Sequence, residues 1–345
     1  MLPKPKIAFL YSEIAGYFLA CAEVLAKHAE VLVIRWPVNS EAPFKFKAID
    51  GITIVSKADY TYDALHKMIH DFKPSTLVCS GWMDKDYLKI VKSFDKRVPT
   101  VLTLDNHWMG SLKQRIASVL SPFYLRNKFT HAWVPGSPQV KFAKALGFKK
   151  ISTGFYCADV SLHKQNFKNE LVSKTKQFLY VGRYVKHKSI FEMWEAFIAL
   201  VDSGEAKDWE MVCAGAGEEF QNKIEHPNIK HVGFLQPEEL KVLLKANPIY
   251  ILPSSFEPWG VSVQEFAIAG CPLIVSDKVG SSELFLEDKK NGFMVSPTVE
   301  SIKEGMRAMI KLDENIFNDM RFLSHEKGVS YTPEMWAKKL LSIKI

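Results

Sequence analysis

The chain is 345 residues long, 47% hydrophobic and 24% charged, a globular composition that excludes disordered and collagen-like architectures. That length exceeds what one core usually supports, so two domains of about 150 residues each are expected. The formal net charge of +7 is uneven: residues 1–160 hold 22 Lys and Arg against 13 Asp and Glu, a balance of +9, whereas 161–345 hold 23 against 25, a balance of −2. A basic first half suits an acidic partner such as a membrane surface, a phosphorylated acceptor or nucleic acid. No apolar run approaches the roughly 18–20 residues that span a bilayer, and MLPKPKIAFLYSEIAG breaks at Ser12 and Glu13 before forming a signal-peptide core. The expectation is a cytoplasmic chain that begins with a strand. Cys21, Cys79, Cys157, Cys213 and Cys271 are scattered through apolar runs without zinc or disulfide spacing, and read as reduced, buried small hydrophobes.

In chain order, IAFLYS reads as a strand, Gly16 to His28 as a helix, VLVIRW as a strand, and TLVCS, VPTVLTL and HAWVP as later strands with helical segments between them. This alternation predicts βαβ units and a parallel sheet. The polar stretch from Asp159 to Lys176 interrupts it and marks a boundary between domains 1–160 and 161–330. The alternation restarts with QFLYVGR, a helix from about Lys188 to Val201, WEMVCAG, IKHVGF, a short helix opened by Pro237, PIYILPSS, a helix after Gly260, and CPLIVSD. This is a second doubly wound α/β unit. Residues 331–345 close the chain with a helix that has Thr332 as N-cap and Pro333 at its first position, expected to pack back on the first domain. Two such domains facing across a cleft would bind ligands beyond the carboxyl ends of their strands.

The loops after the strands therefore carry the candidates. After PIYILPSS, the amides of Gly260, Val261 and Ser262 open a helix and form an anion site. Glu257 stands before that helix and Glu265 about one turn into it; each either grips sugar hydroxyls or serves the helix terminus, as a cap and a first-turn acid. After QFLYVGR, Gly182 is followed by Arg183 and Lys188, a fork and a point charge suited to a diphosphate, or else solvated loop cations. CAGAGEEF places Gly215 and Gly217 after a strand, but Phe220 replaces the third glycine of a dinucleotide fingerprint and no acid ends a strand about 20 residues on. In SEIAGYF, Gly16 permits close backbone approach to a ligand or is an ordinary turn glycine. TLDNHWMGS puts Asp105 and His107 at a strand end, where they orient hydroxyls, exchange protons or make a turn.

Taken together, YVGRYVKHKS, CAGAGEE, VGFLQPEEL and LPSSFEPWGVSVQEFAIAGCPLIVSDKVGSSELF resemble the C-terminal domain of the retaining glycosyltransferases of family 4, which have the GT-B fold of two Rossmann-like domains facing across a cleft. Glu257 and Glu265 match the family's pattern of two glutamates separated by seven residues, and Phe178 to Pro297 follows the family in order and spacing. The resemblance implies a metal-independent hexosyltransferase without cofactor, using a nucleotide sugar, UDP-linked in preference to GDP-linked. It implies that Arg183 and Lys188 neutralise the leaving diphosphate with the amides at Gly260 to Ser262. Glu265 would hold the ribose, Glu257 the transferred sugar, and the backbone near Phe234 and Leu235 the base, with Gly16, Gly182, Gly215 and Trp259 also lining the donor.

The chain departs from the family in three places. Asp105 and Asn106 stand where relatives read a Thr-x-His-Asp pattern, so either Asp105 or the shifted His107 takes over the contact to the donor sugar, or the activity is altered. The first-loop glycine pair is Ala15-Gly16, and Ser189 replaces the glycine after the loop lysine. Residues 110–129 interleave Lys113, Arg115, Arg126 and Lys128 with Leu112, Ile116, Val119, Phe123 and Tyr124. They form either a helix lying on an anionic membrane or one packed on the sheet with a solvated basic face. The expected partners are a nucleotide sugar and a glycan or lipid-linked acceptor at the inner face of the membrane, with no nucleic acid. The rival classes are a nucleotide-sugar or glycan-binding protein of the same fold with impaired catalysis, and a nicotinamide-dependent oxidoreductase, which lacks a complete glycine fingerprint.

Overall fold

A computed structural model describes residues 3–38, 48–236 and 238–344; Pro237, expected to open a helix, lies outside the described residues. The chain divides into two compact units, Met1–Cys157 with Thr332–Ile345, and Ala158–Tyr331. The first unit runs β1 (Lys6–Tyr11), α1 (Gly16–Ala26), β2 (Glu30–Arg35), β3 (Ile52–Ser56), α2 (Tyr62–Phe72), β4 (Thr76–Ser80), α3 (Lys85–Ser93), β5 (Thr100–Thr103), α4 (Leu112–Tyr124), β6 (His131–Trp133), α5 (Ser137–Ala145) and β7 (Ile151–Ser152). Its strands pair in parallel in the order β3-β2-β1-β4-β5-β6-β7. The apolar runs of β1, β2 and β4 are buried on both faces, as parallel strands covered by helices must be. Edge strands β3 and β7 are only half-buried, and β7, two residues long, is too short to carry a pattern in the sequence.

The C-terminal helix, Pro333–Leu341, belongs to this first unit. Thr332 caps it, its hydroxyl accepting from the Met335 amide, and Pro333 opens it. Trp336 is buried, with its ring centroid 4.9 Å from that of Trp133, and its indole Nε1 donates to Phe155 O at 2.7 Å. An indole in an apolar core needs such an acceptor.

The second unit runs α6 (Val160–Lys164), β8 (Gln177–Val181), α7 (Ile190–Asp202), β9 (Glu210–Ala214), β10 (Ile229–Gly233), α8 (Leu240–Leu244), β11 (Ile249–Leu252), α9 (Val261–Ile268), β12 (Leu273–Ser276), α10 (Ser282–Phe285), β13 (Gly292–Val295), α11 (Val299–Lys311) and α12 (Glu314–Gly328). Its parallel strand order is β10-β9-β8-β11-β12-β13. In both sheets the winding direction reverses once, between β1 and β4 and between β8 and β11. These reversals are the switch points at which open α/β sheets leave room for ligands.

The stretch 159–176, read from sequence as an uninformative boundary, is structured at its start. Asp159 caps α6 by accepting from the Leu162 amide at 3.0 Å, and Phe167 stacks on His325 of α12 at 3.7 Å with the Arg321 guanidinium over its ring. The unit is closed by Gln264 of α9, which is fully buried. Its Oε1 accepts from the amide of Ala158, where the chain enters the unit, at 2.8 Å. Its Nε2 donates to Gly328 O at 3.0 Å and to Tyr331 O, where the chain leaves, at 2.8 Å. Replacement Gln264→Leu keeps the volume and removes all three bonds from a dry site, so it should destabilise this unit by about 2–3 kcal/mol in urea unfolding; an unchanged midpoint would show that the amide is not needed for closure.

Candidate functional site

At the β8/β11 switch point two loops are joined by hydrogen bonds. The β8 loop turns through Lys186–Lys188, and His187 O accepts from the Ser255 amide at 2.9 Å and from the Ser255 hydroxyl at 3.2 Å in the loop after β11. Lys188 Nζ donates to Glu257 Oε2, and both side chains are largely withdrawn from solvent, at 13% and 15% exposure. The cationic and the glutamate loops thus meet face to face, a juxtaposition that residue spacing alone does not show. The Glu257 carboxylate is engaged by Lys188, and the N-cap position of α9 belongs to Gly260, which argues against the helix-cap reading. The Glu257 backbone is pinned instead to the β12 loop, its amide to Lys278 O at 3.2 Å and its carbonyl to the Gly280 amide at 3.1 Å.

Gly260 precedes α9 at φ +83°, in the left-handed region that suits glycine. A Cβ there would press on Glu257 Cγ and Val279 Cγ1, each at 3.1 Å. The first satisfied amide is that of Val263, bonded to Gly260 O at 3.1 Å, so the amides before it form the open N-terminal turn of the helix. Ser262 on that turn accepts from the Tyr250 hydroxyl at 2.7 Å. Trp259 is buried, its indole turned into the interior, so a ligand in this loop meets its backbone rather than its ring.

Glu265 lies one turn further along α9 and has an unforeseen neighbour. His163 of α6, 2% exposed, places Nε2 3.7 Å from Glu265 Oε1. Its Nδ1 is buried without a hydrogen-bond partner. Burial pushes the Glu265 carboxyl above the usual range; His163 holds it down, and Asp159 pushes it further up. On the cationic side, burial, then Lys188 and Arg183, lowers the His187 imidazole, against the pull of Glu257 and Glu218. Neither histidine stood out in the sequence, since each sits among polar residues with no periodic signal.

Gly182 and Gly215 are explained by packing. Gly215 has φ +151° and a Cβ there would lie 1.9 Å from Gly182 O. The two loops are zipped by Gly182 N–H to Ala214 O at 3.0 Å and Tyr184 N–H to Ala216 O at 2.9 Å. Arg183 is exposed on this turn. Phe234 and Leu235 follow β10 at the sheet edge, half-buried and two strands from β8.

Asp105, His107 and Gly16 belong to the first unit. Asp105 follows β5, and its Oδ2 accepts from the Tyr156 hydroxyl at 3.1 Å while its carbonyl accepts from Gln139 Nε2 at 3.0 Å. Tyr17, next to Gly16 at the start of α1, sets its ring edge-on to Tyr156 at 5.7 Å. The Gly16 turn and Asp105 are thereby joined through two tyrosines. The His107 carbonyl accepts from Gln114 Nε2 at 2.6 Å, which ties it to the start of α4.

Two outcomes are expected. Ser189, where relatives of the resembled family carry glycine, holds φ +51°, a conformation that costs a non-glycine residue about 1–2 kcal/mol. Ser189→Gly should therefore raise unfolding stability by about 1 kcal/mol, read as a shift in denaturation midpoint. His163→Leu removes the group that holds Glu265 down, so the Glu265 carboxyl should titrate at a higher pH than in the parent chain when followed by carboxyl carbon NMR; an unmoved titration would disprove the coupling.

Residues 163–321 match the family Glycosyl transferases group 1. The chain is 28% identical over 180 residues to an uncharacterized glycosyltransferase of Methanocaldococcus jannaschii, covering 49% of this chain and 44% of that protein. It is 26% identical over 262 residues to the 2-deoxystreptamine N-acetyl-D-glucosaminyltransferase of Niallia circulans, covering 69% of this chain and 64% of that one; it thus spans less than two thirds of either relative. Among solved structures, one described as trehalose-6-phosphate from E. coli bound with UDP-2-fluoro glucose superposes with a TM-score of 0.73 at 10% identity, over 98% of both chains, a likeness of fold. Residues 163–321 thus resemble the glycosyl transferases group 1 family, and the two parallel-sheet, Rossmann-like units of the chain have the GT-B fold.

Proposed function

We propose that the chain is a retaining, metal-independent hexosyltransferase of family 4. It moves a sugar from a nucleotide-diphosphate sugar to a glycan or lipid-linked acceptor in surface polysaccharide or lipopolysaccharide synthesis, at the cytoplasmic face of the membrane. The observation that carries this reading is the meeting of Lys188 with Glu257 beside the open N-terminal turn of α9. A cation and free amides suit a diphosphate, and a carboxylate held next to them suits sugar hydroxyls.

In this reading the diphosphate takes over Lys188 from Glu257, with Arg183 and the amides of Gly260 to Ser262 sharing its charge. Glu257, released, accepts from hydroxyls of the transferred sugar, and Glu265 from those of the ribose. The bond from the anomeric carbon to the diphosphate oxygen breaks as the acceptor oxygen attacks on the same face, and the acceptor proton passes to the departing phosphate. Stabilising the charge that grows on that leaving group is the main source of rate. Asp105, steadied by Tyr156, is the candidate contact of the first unit to the donor sugar, with His107 the alternative. The base lies along the backbone at Phe234 and Leu235. A UDP-linked donor is favoured over a GDP-linked one, in line with the UDP-sugar held by the E. coli structure.

Asp105 in place of the family's histidine favours a second reading, a nucleotide-sugar-binding protein with impaired catalysis. Donor hydrolysis across UDP-, GDP- and ADP-sugars separates the two, because nucleotide binding without turnover supports the second. Glu265→Ala should weaken UDP and UDP-sugar binding alike, by about tenfold, in calorimetric titration. Glu257→Ala should cut turnover yet leave UDP affinity equal or tighter, since Lys188 loses its internal competitor. Equal loss of UDP affinity in both variants would sink this division of labour.

A further inference from the structure

Helix α4 is built inside out. With successive residues about 100° apart, Leu112, Ile116, Val119, Leu120 and Phe123 fall on one stripe, and that stripe faces solvent, with Leu112, Val119 and Phe123 exposed to 74%, 73% and 80%. The opposite, polar face is the one turned to the protein. Ser121 is fully buried and donates to Leu146 O at 2.7 Å, Ser118 donates to Gln114 O at 2.8 Å, and Gln114 reaches back to His107 O. A surface helix ordinarily buries its apolar stripe, and five neighbouring large apolar side chains in water mark a contact surface.

The charge around the stripe identifies the partner. Lys113 and Arg115 flank it on either side, and from Asn106 to Ala158 the chain carries eight Lys and Arg and no Asp or Glu. We propose that α4 docks on an anionic lipid surface, its apolar stripe entering the acyl boundary while Lys113 and Arg115 extend to the headgroups. Long cationic side chains beside an apolar face adopt that arrangement at a membrane interface. A second copy of the chain is a poorer occupant, because an isologous contact through α4 sets Lys113 and Arg115 against their own like charges. No helix among the described residues is long and apolar enough to cross a membrane, so the attachment lies along the surface. As the place where the acceptor is met, this face rests on the glycosyltransferase reading; as a lipid-binding face it does not.

The test is co-sedimentation of the full chain with phosphatidylglycerol–phosphatidylcholine vesicles and with pure phosphatidylcholine vesicles, at low and high salt. The parent chain should bind the anionic vesicles and release as salt rises. Val119→Glu with Phe123→Glu should reduce partitioning roughly tenfold or more, and Lys113→Glu with Arg115→Glu should abolish the preference for anionic lipid. All four positions are exposed, and thermal melting checks that each variant is folded. Absence of binding by the parent chain, unchanged binding by the folded Val119→Glu, Phe123→Glu variant, or a dimer that this variant turns into monomers without any vesicle binding would each overturn the proposal. UDP titration of the same proteins keeps the two readings apart: intact UDP binding with no vesicle binding overturns only the docking face, and vesicle binding without UDP binding overturns only the donor site.

Discussion

One buried amide holds the second unit together. Gln264 binds the backbone at the unit's first residue and at its last, and it does so from α9, the helix whose N-terminal turn and Glu265 form the candidate donor site. Because three of its hydrogen bonds are made in a dry environment, the side chain has one satisfactory orientation. The angle of α9, and so the direction of its open amides, is fixed by the same contacts that close the chain. Close backbone approach adds to this, since Gly328 of α12 admits no Cβ without meeting Ile268 N at 2.3 Å.

On that frame the site is assembled by electrostatic pairing. Lys188 and Glu257 neutralise each other where neither is well hydrated, a state that a ligand with its own anionic and hydroxyl groups can replace. Across α9, Glu265 has an elevated carboxyl because burial outweighs the favourable field of His163. The two glutamates, alike in the sequence, therefore sit in opposite surroundings: one is paired with an ammonium group, the other is partly desolvated beside an imidazole.

Much of the architecture was legible because it follows from hydrophobic pattern. Apolar runs such as VLVI in β2 and the restart after residue 176 report burial on both faces of a sheet, whereas the switch points came only with the strand order. Thr332 and Pro333 announced the last helix by their chemistry. The edge strand β7 was not legible, since its two residues are too few to carry a pattern. Nor was His163, because its burial is created by α9, a hundred residues away.

By itself the sequence determined two wound sheets, the positions of the loops at their carboxyl ends, and which polar residues those loops contain. Periodicity and turn chemistry act over a few residues and survive in any reading of the chain. The tertiary structure alone decided that Lys188 meets Glu257, that His163 stands over Glu265, and that α4 turns its apolar stripe outward. Each of these depends on which surfaces the rest of the chain covers. Burial and Coulomb interaction are properties of position in space, and no spacing along the chain encodes them.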